Sequence, residues 1–530
     1  MRVIGKELDA TRQTTVVASG TMPSGKPVVI NSDGTASVVA ETTSSSNMTY
    51  GTFTNIENEA TQYVHIAADP FNSNRFAMVS VDDAGDKNVH LYIITRSGTS
   101  ITVSSQLMVF ASPSNNASGS MCIWDVVTED QILICYNDDQ SDFNAVVATV
   151  SGSAGSESAT FGTAIEASNQ RFTGGDAQFP FLTPIGTTGS YLALLWRPSN
   201  SYTLWRILTI SGTSVSRDTA GGSAGTILIS VTRDITHSAT IDPNDSTKGF
   251  ALSVKGAGEV LRGQPLTFSG TGTGMTVSGG ATRVFKSGRD FVKSQSKPFI
   301  KYITSTKLFV AALTGMDDPS GTFGDLETFV FAYDGSNYTE YTSTFLSNPD
   351  ANILYHYIDT VSEQADNTKF IVTTNANSGT RYAYGAIATV DTSTNTVSYS
   401  TPVRIDGYTG SGNVGYISYA TQSDGLGTSL CGFSGTDSNG NQRPYVRLIQ
   451  KGGISRNLDA ENFVGLSQSP TSSGNSFAVN TKGAVDDNQS GLTAGQSYYV
   501  QTDGTLGTTP ADPSVFAGTA VSATKLIVKG

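Results

Sequence analysis

Short apolar runs separated by polar turns recur along most of the chain. YVHIA (Tyr63–Ala67), RFAMVSV (Arg75–Val81) and HLYIIT (His90–Thr95) follow one another, and Ser97-Gly98 then turns the chain into the more polar ITVSSQLMVF (Ile101–Phe110). Runs of this length bounded by turn residues read as β-strands, and the Gly-containing turn reads as a tight hairpin. The pattern repeats. MCIWDVV, QILICYN and AVVATV precede Ser151-Gly152; FPFLTPI, YLALLWR and TLWRILTI precede Ser211-Gly212; HSATI, GFALSV and LRGQPLTF precede Ser269-Gly270. PFIKYI, KLFVAAL and ETFVFAY precede Asp334-Gly335; ILYHYIDT, KFIVTTN and YGAIATV precede a turn at Asp391–Asn395; VGYISYA, TSLCGFS and RPYVRLIQ precede Gly452-Gly453 and a last strand, ISRNLD. The spacing of these turns is roughly 59 residues, with the variation confined to loops, as in repeat architectures. Four antiparallel strands taken seven times predict an all-β fold, a seven-bladed β-propeller over residues 49–467. The apolar second and third strands should lie between neighbouring blades and the polar fourth at the rim. A β-helix is the alternative, but its coils are shorter and more uniform.

The two ends carry a different pattern, and they carry it twice. SGTMPSGKPVVINSDGTASVV (Ser19–Val39) and SGLTAGQSYYVQTDGTLGTTP (Ser490–Pro510) each set a Gly, then a short apolar strand, then Asp-Gly-Thr: Gly25 with Asp33-Gly34-Thr35, and Gly495 with Asp503-Gly504-Thr505. Asp-Gly marks a hairpin turn. The matched hairpins predict that residues 1–48 and 468–530 co-fold into a small β domain, with the propeller inserted between them. Chain ends that lie close together at a surface make such an insertion feasible.

NFVGLSQSP, the Gly-Gln-x-Tyr-Tyr-Val…Asp-Gly-Thr-Leu string and the closing SATKLIVKG resemble the terminal module of structural proteins of tailed bacteriophages, in particular tail-fibre-like proteins. The amino-terminal hairpin is similar to the same module type. The resemblance covers about a hundred residues at the two ends. It implies a virion component on the phage tail or particle exterior, made in the host cytoplasm and homo-oligomeric, with a trimer favoured. The implied partners are other virion proteins and a host-surface glycan or protein. A capsid-exterior decoration protein and a tail-borne glycan hydrolase of propeller fold are the alternatives.

Composition narrows the function further. Charged residues make up 15% of the chain and its net charge is −13, the wrong sign for a nucleic-acid wrap or an anionic lipid surface. No apolar run approaches a membrane span, and MRVIGKELDATRQ lacks the apolar stretch of a secretory signal. Three cysteines, Cys122, Cys135 and Cys431, predict buried free thiols, with a Cys122–Cys135 disulfide across a hairpin as the alternative.

Candidate chemistry is sparse. Acidic groups fall between second and third strands: Asp82-Asp83 with Asp86, Asp138-Asp139 with Asp142, and Asp317-Asp318 with Asp325. Such loops could hold a hard cation, although none has EF-hand spacing and Asp also forms turns. We take Asp82, Asp83, Asp317, Asp318 and Asp325 as candidate ligand contacts on a polar loop face. Trp196, Tyr202 and Trp205 join them as aromatics that would suit sugar stacking or, alternatively, inter-blade packing. His65, His237 and His356 each stand in a first strand, which in a propeller usually lines the channel. No metal is assigned, no cofactor is expected, and no G-x-S-x-G, HExxH, P-loop or Asp-box is present. The expectation is a protein that is not an enzyme.

Overall fold

The computed structural model describes residues 12–31, 33–43, 49–57, 61–82, 88–97, 100–111, 120–138, 142–169, 181–197, 202–220, 226–229, 234–255, 260–285, 298–313, 326–335, 337–346, 360–362, 368–377, 381–405, 414–421, 428–436, 442–450, 454–459, 461–501, 503–511 and 513–529. The chain is all-β and its sheets are antiparallel; the one helical element among the described residues is the 3-10 turn Gly272–Gly274. None of the described helices is long and apolar enough to cross a membrane. The chain divides into two compact units, residues 46–451 and residues 1–45 with 452–530.

In the larger unit, six successive sheets share one design. The first orders Thr61–Ala68, Arg75–Asp82 and Val89–Ser97, and Val89–Ser97 then carries two short outer strands, Ser100–Val103 and Leu107–Phe110. The fourth strand, read from sequence as one run, is broken in two. The break falls at one position of each repeat, where a residue of the outer strand donates its N–H to the middle of the third strand. These contacts are Ser104 to Ile93, Gly162 to Val147, Asp218 to Ile207, Gly280 to Pro265 and Ser400 to Ile387, each 2.9 Å, and Tyr341 to Val330 at 3.0 Å. A break in the ladder endangers the third-strand N–H at that point, because a buried N–H needs a partner. Three repeats supply a side chain: Ser104 Oγ accepts from Ile93 N (3.0 Å), Asp218 Oδ1 from Ile207 N (2.8 Å) and Ser400 Oγ from Ile387 N (2.9 Å). A fourth repeat removes the donor by placing Pro265 there.

The seventh sheet is completed differently. Val414–Thr421, Thr428–Thr436 and Gln442–Gln450 are followed not by ISRNLD but by Thr49–Asn55, a strand from before the first repeat. Gln450 pairs with Thr49 and Tyr445 with Asn55. The Phe53 ring stacks on Tyr445 with centroids 4.5 Å apart. Ile454–Arg456 pairs instead with Glu41–Thr43, in the smaller unit. The assignment of ISRNLD to the seventh repeat is therefore corrected: the amino-terminal strand already occupies that edge.

The apolar runs explain the packing between these sheets. Successive strand residues point to opposite faces, so a strand buried on both faces must be apolar at every position. In Gln131–Asn137, Ile132, Ile134 and Tyr136 pack against the first sheet, whereas Leu133 and Cys135 pack against the third. Further clusters join the third sheet to the fourth, the fourth to the fifth, the fifth to the sixth and the sixth to the seventh. Another joins the seventh back to the first through Leu430, Val446 and Leu448 against Val64, Ile66 and Phe76. Each sheet thus shares a core with two neighbours, and the series closes on itself.

The smaller unit holds two five-stranded sheets of one plan. The first orders Gln13–Val17, Ser476–Asn480, Phe463–Ser467, Pro27–Ile30 and Ala36–Val38; the second orders Val485–Asp486, Lys525–Val528, Val515–Ser522, Ser497–Val500 and Leu506–Gly507. Both central strands bulge at a glycine two residues after a phenylalanine, in Phe463-Val464-Gly465 and Phe516-Ala517-Gly518. A Cβ on Gly465 would lie 2.0 Å from the Asn480 carbonyl oxygen, and one on Gly518 2.1 Å from that of Ile527. The Asp-Gly-Thr turns also match. Asp33 Oδ1 accepts from Thr35 N at 2.9 Å and Oγ1 at 2.6 Å, and Asp503 Oδ1 accepts from Thr505 at the same distances. Phe463–Ser467, read from sequence within the repeat region, is the middle strand of the first of these sheets.

Candidate functional site

The densest group of potential ligand atoms among the described residues lies at the end of a hairpin in the first sheet. Asp82 ends Arg75–Asp82, His90 is the second residue of Val89–Ser97, and Asp82 N donates to the Asn88 carbonyl at 3.0 Å to close the turn region. Glu57 arrives from another direction, two residues beyond the strand Thr49–Asn55 that completes the seventh sheet. Asp82 and His90 are 4% and 1% exposed, with Glu57 half-buried beside them. One ligand atom from each of the three lies within 4.8 Å of the others.

The surrounding polar groups set the electrostatics. His90 Nδ1 stands 3.1 Å from Asp82 Oδ1. Gln106, at the break between the two outer strands of this sheet, places its Nε2 2.9 Å from both Glu57 Oε2 and His90 Nδ1. The Tyr92 hydroxyl, on the same strand face as His90, donates to Glu57. Asp82 Oδ1 has no hydrogen-bond partner among the described residues. Two carboxylates and an imidazole, largely shielded from water, can share a proton or hold a cation; charged groups placed so need such compensation.

The sequence-derived candidates fall in different places. Asp82 is in this cluster rather than on an open loop face, because it is the last buried residue of its strand. Asp83, Asp86, Asp139, Asp317, Asp318, Asp325 and His356 lie outside the described residues. Trp196 and Tyr202 stand in paired strands, Trp196 opposite Thr203 and Tyr202 opposite Arg197, but their side chains and that of His237 lie outside the described set. Trp205 is 2% exposed in the core between the third and fourth sheets. Strand alternation turns it inward, so its ring is closed to a stacking ligand. His65 Nδ1 accepts from Cys122 N at 3.3 Å, across to the second sheet. Asp138 caps a turn: its Oδ1 accepts from Asp142 N and its Oδ2 from Asn144 Nδ2, both at 2.9 Å.

The three cysteines are free and buried. Cys122 lies opposite Ile134, not Cys135, and the two thiols enter different cores. The disulfide alternative fails on that geometry. Burial pushes both thiols well above their ordinary range. Sequence reasoning missed His90, Glu57 and Gln106. The available signal was a histidine within the otherwise apolar strand HLYIIT.

No protein-family model matches the sequence, and no curated protein matches it. Among solved structures, the BP39L lectin from Burkholderia pseudomallei is 10% identical with a TM-score of 0.45, covering 73% of this chain and 98% of the lectin. A protein of unknown function from Dyadobacter fermentans is 10% identical with a TM-score of 0.41, covering 76% and 99%. The NanB sialidase of Streptococcus pneumoniae is 8% identical with a TM-score of 0.38, covering 75% and 70%.

Proposed function

We propose that the chain is a non-enzymatic structural protein of a tailed-bacteriophage virion, tail-associated and homo-oligomeric, with a trimer favoured. In this reading the larger unit is a seven-bladed β-propeller. Its support is the series of sheets sharing cores in a closed cycle, with an amino-terminal strand completing the last sheet. The smaller unit is a terminal β module through which the protein joins other virion proteins. The propeller contacts a host-surface glycan or protein, or a neighbouring virion protein, through loops between its second and third strands.

One observation carries the functional reading. The carboxy-terminal string that resembles phage tail-fibre-like proteins, SGLTAGQSYYVQTDGTL…SATKLIVKG, supplies four of the five strands of one sheet, and the amino-terminal segment helps build a second sheet of the same strand order and turn chemistry. A module used twice within one unit is what a dedicated assembly module would look like.

Purified particles test the proposal. Mass spectrometry should find the intact chain in virions, and gold-labelled antibody to residues 49–450 should decorate the tail. Label on the head would favour the capsid-decoration alternative. Absence of the chain from particles would overturn the virion assignment.

A further inference from the structure

We propose that Glu57, Asp82 and His90 bind one divalent cation of the zinc class, which ties the segment following the closing strand to the first sheet. The inference starts from electron-rich atoms that converge at hydrogen-bond distance. Gln106 Nε2 lies 2.9 Å from both Glu57 Oε2 and His90 Nδ1. With the amide nitrogen so placed it donates towards the ring, and Nδ1 presents a lone pair. Asp82 Oδ1 faces that same ring nitrogen at 3.1 Å and has no hydrogen-bond partner among the described residues. Amide orientation is an assignment, so the reverse must also be weighed. Turning the amide lets Nδ1 carry a proton, but then the Gln106 oxygen faces the Glu57 carboxylate. Either way one pair of electron-rich atoms is left in contact unless a shared proton or a cation stands between them, in a place where Asp82 is 4% exposed.

A cation removes the conflict when the amide is turned and Nδ1 carries no proton, because the Nδ1 lone pair, the Gln106 oxygen and the two carboxylates then all face it. With metal–nitrogen and metal–oxygen bonds of about 2.0–2.2 Å, neighbouring ligand atoms of a tetrahedral site stand about 3.3–3.6 Å apart. The 3.1 Å separation of Asp82 Oδ1 and His90 Nδ1 is slightly shorter than such an edge, and a small parting of the two would admit the ion. One imidazole with two carboxylates suits zinc better than calcium, which prefers six to eight oxygens, or magnesium, which keeps its waters. A turned Gln106 would offer its oxygen as a fourth ligand, and the Tyr92 hydroxyl orients Glu57 from outside. The role follows from connectivity: Asp82 and His90 belong to the first sheet, whereas Glu57 follows the strand that completes the seventh.

Full-length protein stripped with chelator and titrated with Zn²⁺ should take up one equivalent, and its thermal midpoint should rise. Mg²⁺ should do neither. X-ray absorption at the zinc edge should show one imidazole among oxygen ligands and no sulfur. Asp82→Asn and Glu57→Gln should each weaken uptake at least ~10-fold, with circular dichroism confirming that the sheets remain. Failure of the folded wild type to bind one equivalent would overturn the proposal, as would a shell containing sulfur. So would undiminished binding by folded Asp82→Asn/Glu57→Gln. If the variants do not fold, uptake and the edge spectrum of the wild type decide alone.

Discussion

The two Asp-Gly-Thr turns show how the same residues can face different demands. Gly34 and Gly504 have positive φ, +82° and +77°, where a side chain is strained wherever it stands. The adjacent carboxylates are alike too: the Thr35 hydroxyl holds Asp33 below its ordinary range, and Thr505 does the same for Asp503. The environments differ. A Cβ on Gly34 would meet nothing within 4 Å, but one on Gly504 would stand 2.0 Å from the Val39 carbonyl oxygen. Gly34→Ala should therefore cost about 1–2 kcal/mol, the dihedral penalty alone. Gly504→Ala should cost distinctly more, because backbone has to move. Denaturant unfolding of the two variants checks this, and equal losses would show that Val39 yields freely. The sequence announces the turns but not the difference, since Val39 reaches Gly504 from the far end of the chain. The same distance hid the Glu57–Asp82–His90 cluster. Asp82 and His90 are near neighbours on a legible hairpin, but their third partner comes from the segment after a strand whose own partner lies near residue 450.

Strands proved legible in proportion to how completely they are buried. RFAMVSV, QILICYN and YLALLWR are apolar at both alternating positions because each face enters a core, and their sequences leave little choice of structure. The outer strands were harder to read: a single polar run covers two short strands, and the break between them rests on a backbone contact with the third strand. The strand TYGTFTN (Thr49–Asn55) was hardest. It is half polar and pairs with Gln442–Gln450 across nearly the whole length of the repeats, so no local pattern reveals it. Its hold on the seventh sheet centres on Phe53, stacked on Tyr445 and 5.4 Å from the ring of Phe433. Phe53→Ala should destabilise the larger unit by about 2–3 kcal/mol, below the usual range for a fully buried phenylalanine because Phe53 is only half-buried. Amide hydrogen exchange should speed up first in Gln442–Gln450. Unchanged protection there, with unchanged stability, would mean that the strand is held by its backbone ladder alone.

At the scale of the whole molecule, the pairing of strands argues that each unit can fold without the other. Every named strand of residues 12–43 pairs within that segment or with residues 454–480, and the three cores of the smaller unit draw only on its own residues. The larger unit is likewise self-paired, from Thr49 opposite Gln450 through its closed series of cores. The junctions are favourable for separation. Thr43 lies opposite Ile454 in an antiparallel pair, so a short hairpin turn can join them in place of everything between. A fusion of residues 1–43, a turn such as Asn-Gly, and residues 454–530 should be soluble, show sheet by circular dichroism and unfold in one cooperative step. Residues 49–450 alone should do the same, since their two ends already lie side by side in the seventh sheet. A short antiparallel turn fixes register strongly when one face is buried, so a correctly joined fusion should also protect the amides of Val28–Ile30 against exchange, because their strand pairs with Phe463–Ser467 only if both ends have assembled. Non-cooperative melting of the fusion, or unprotected Val28–Ile30 amides in a soluble one, would mean that the ends need the repeats between them in order to fold.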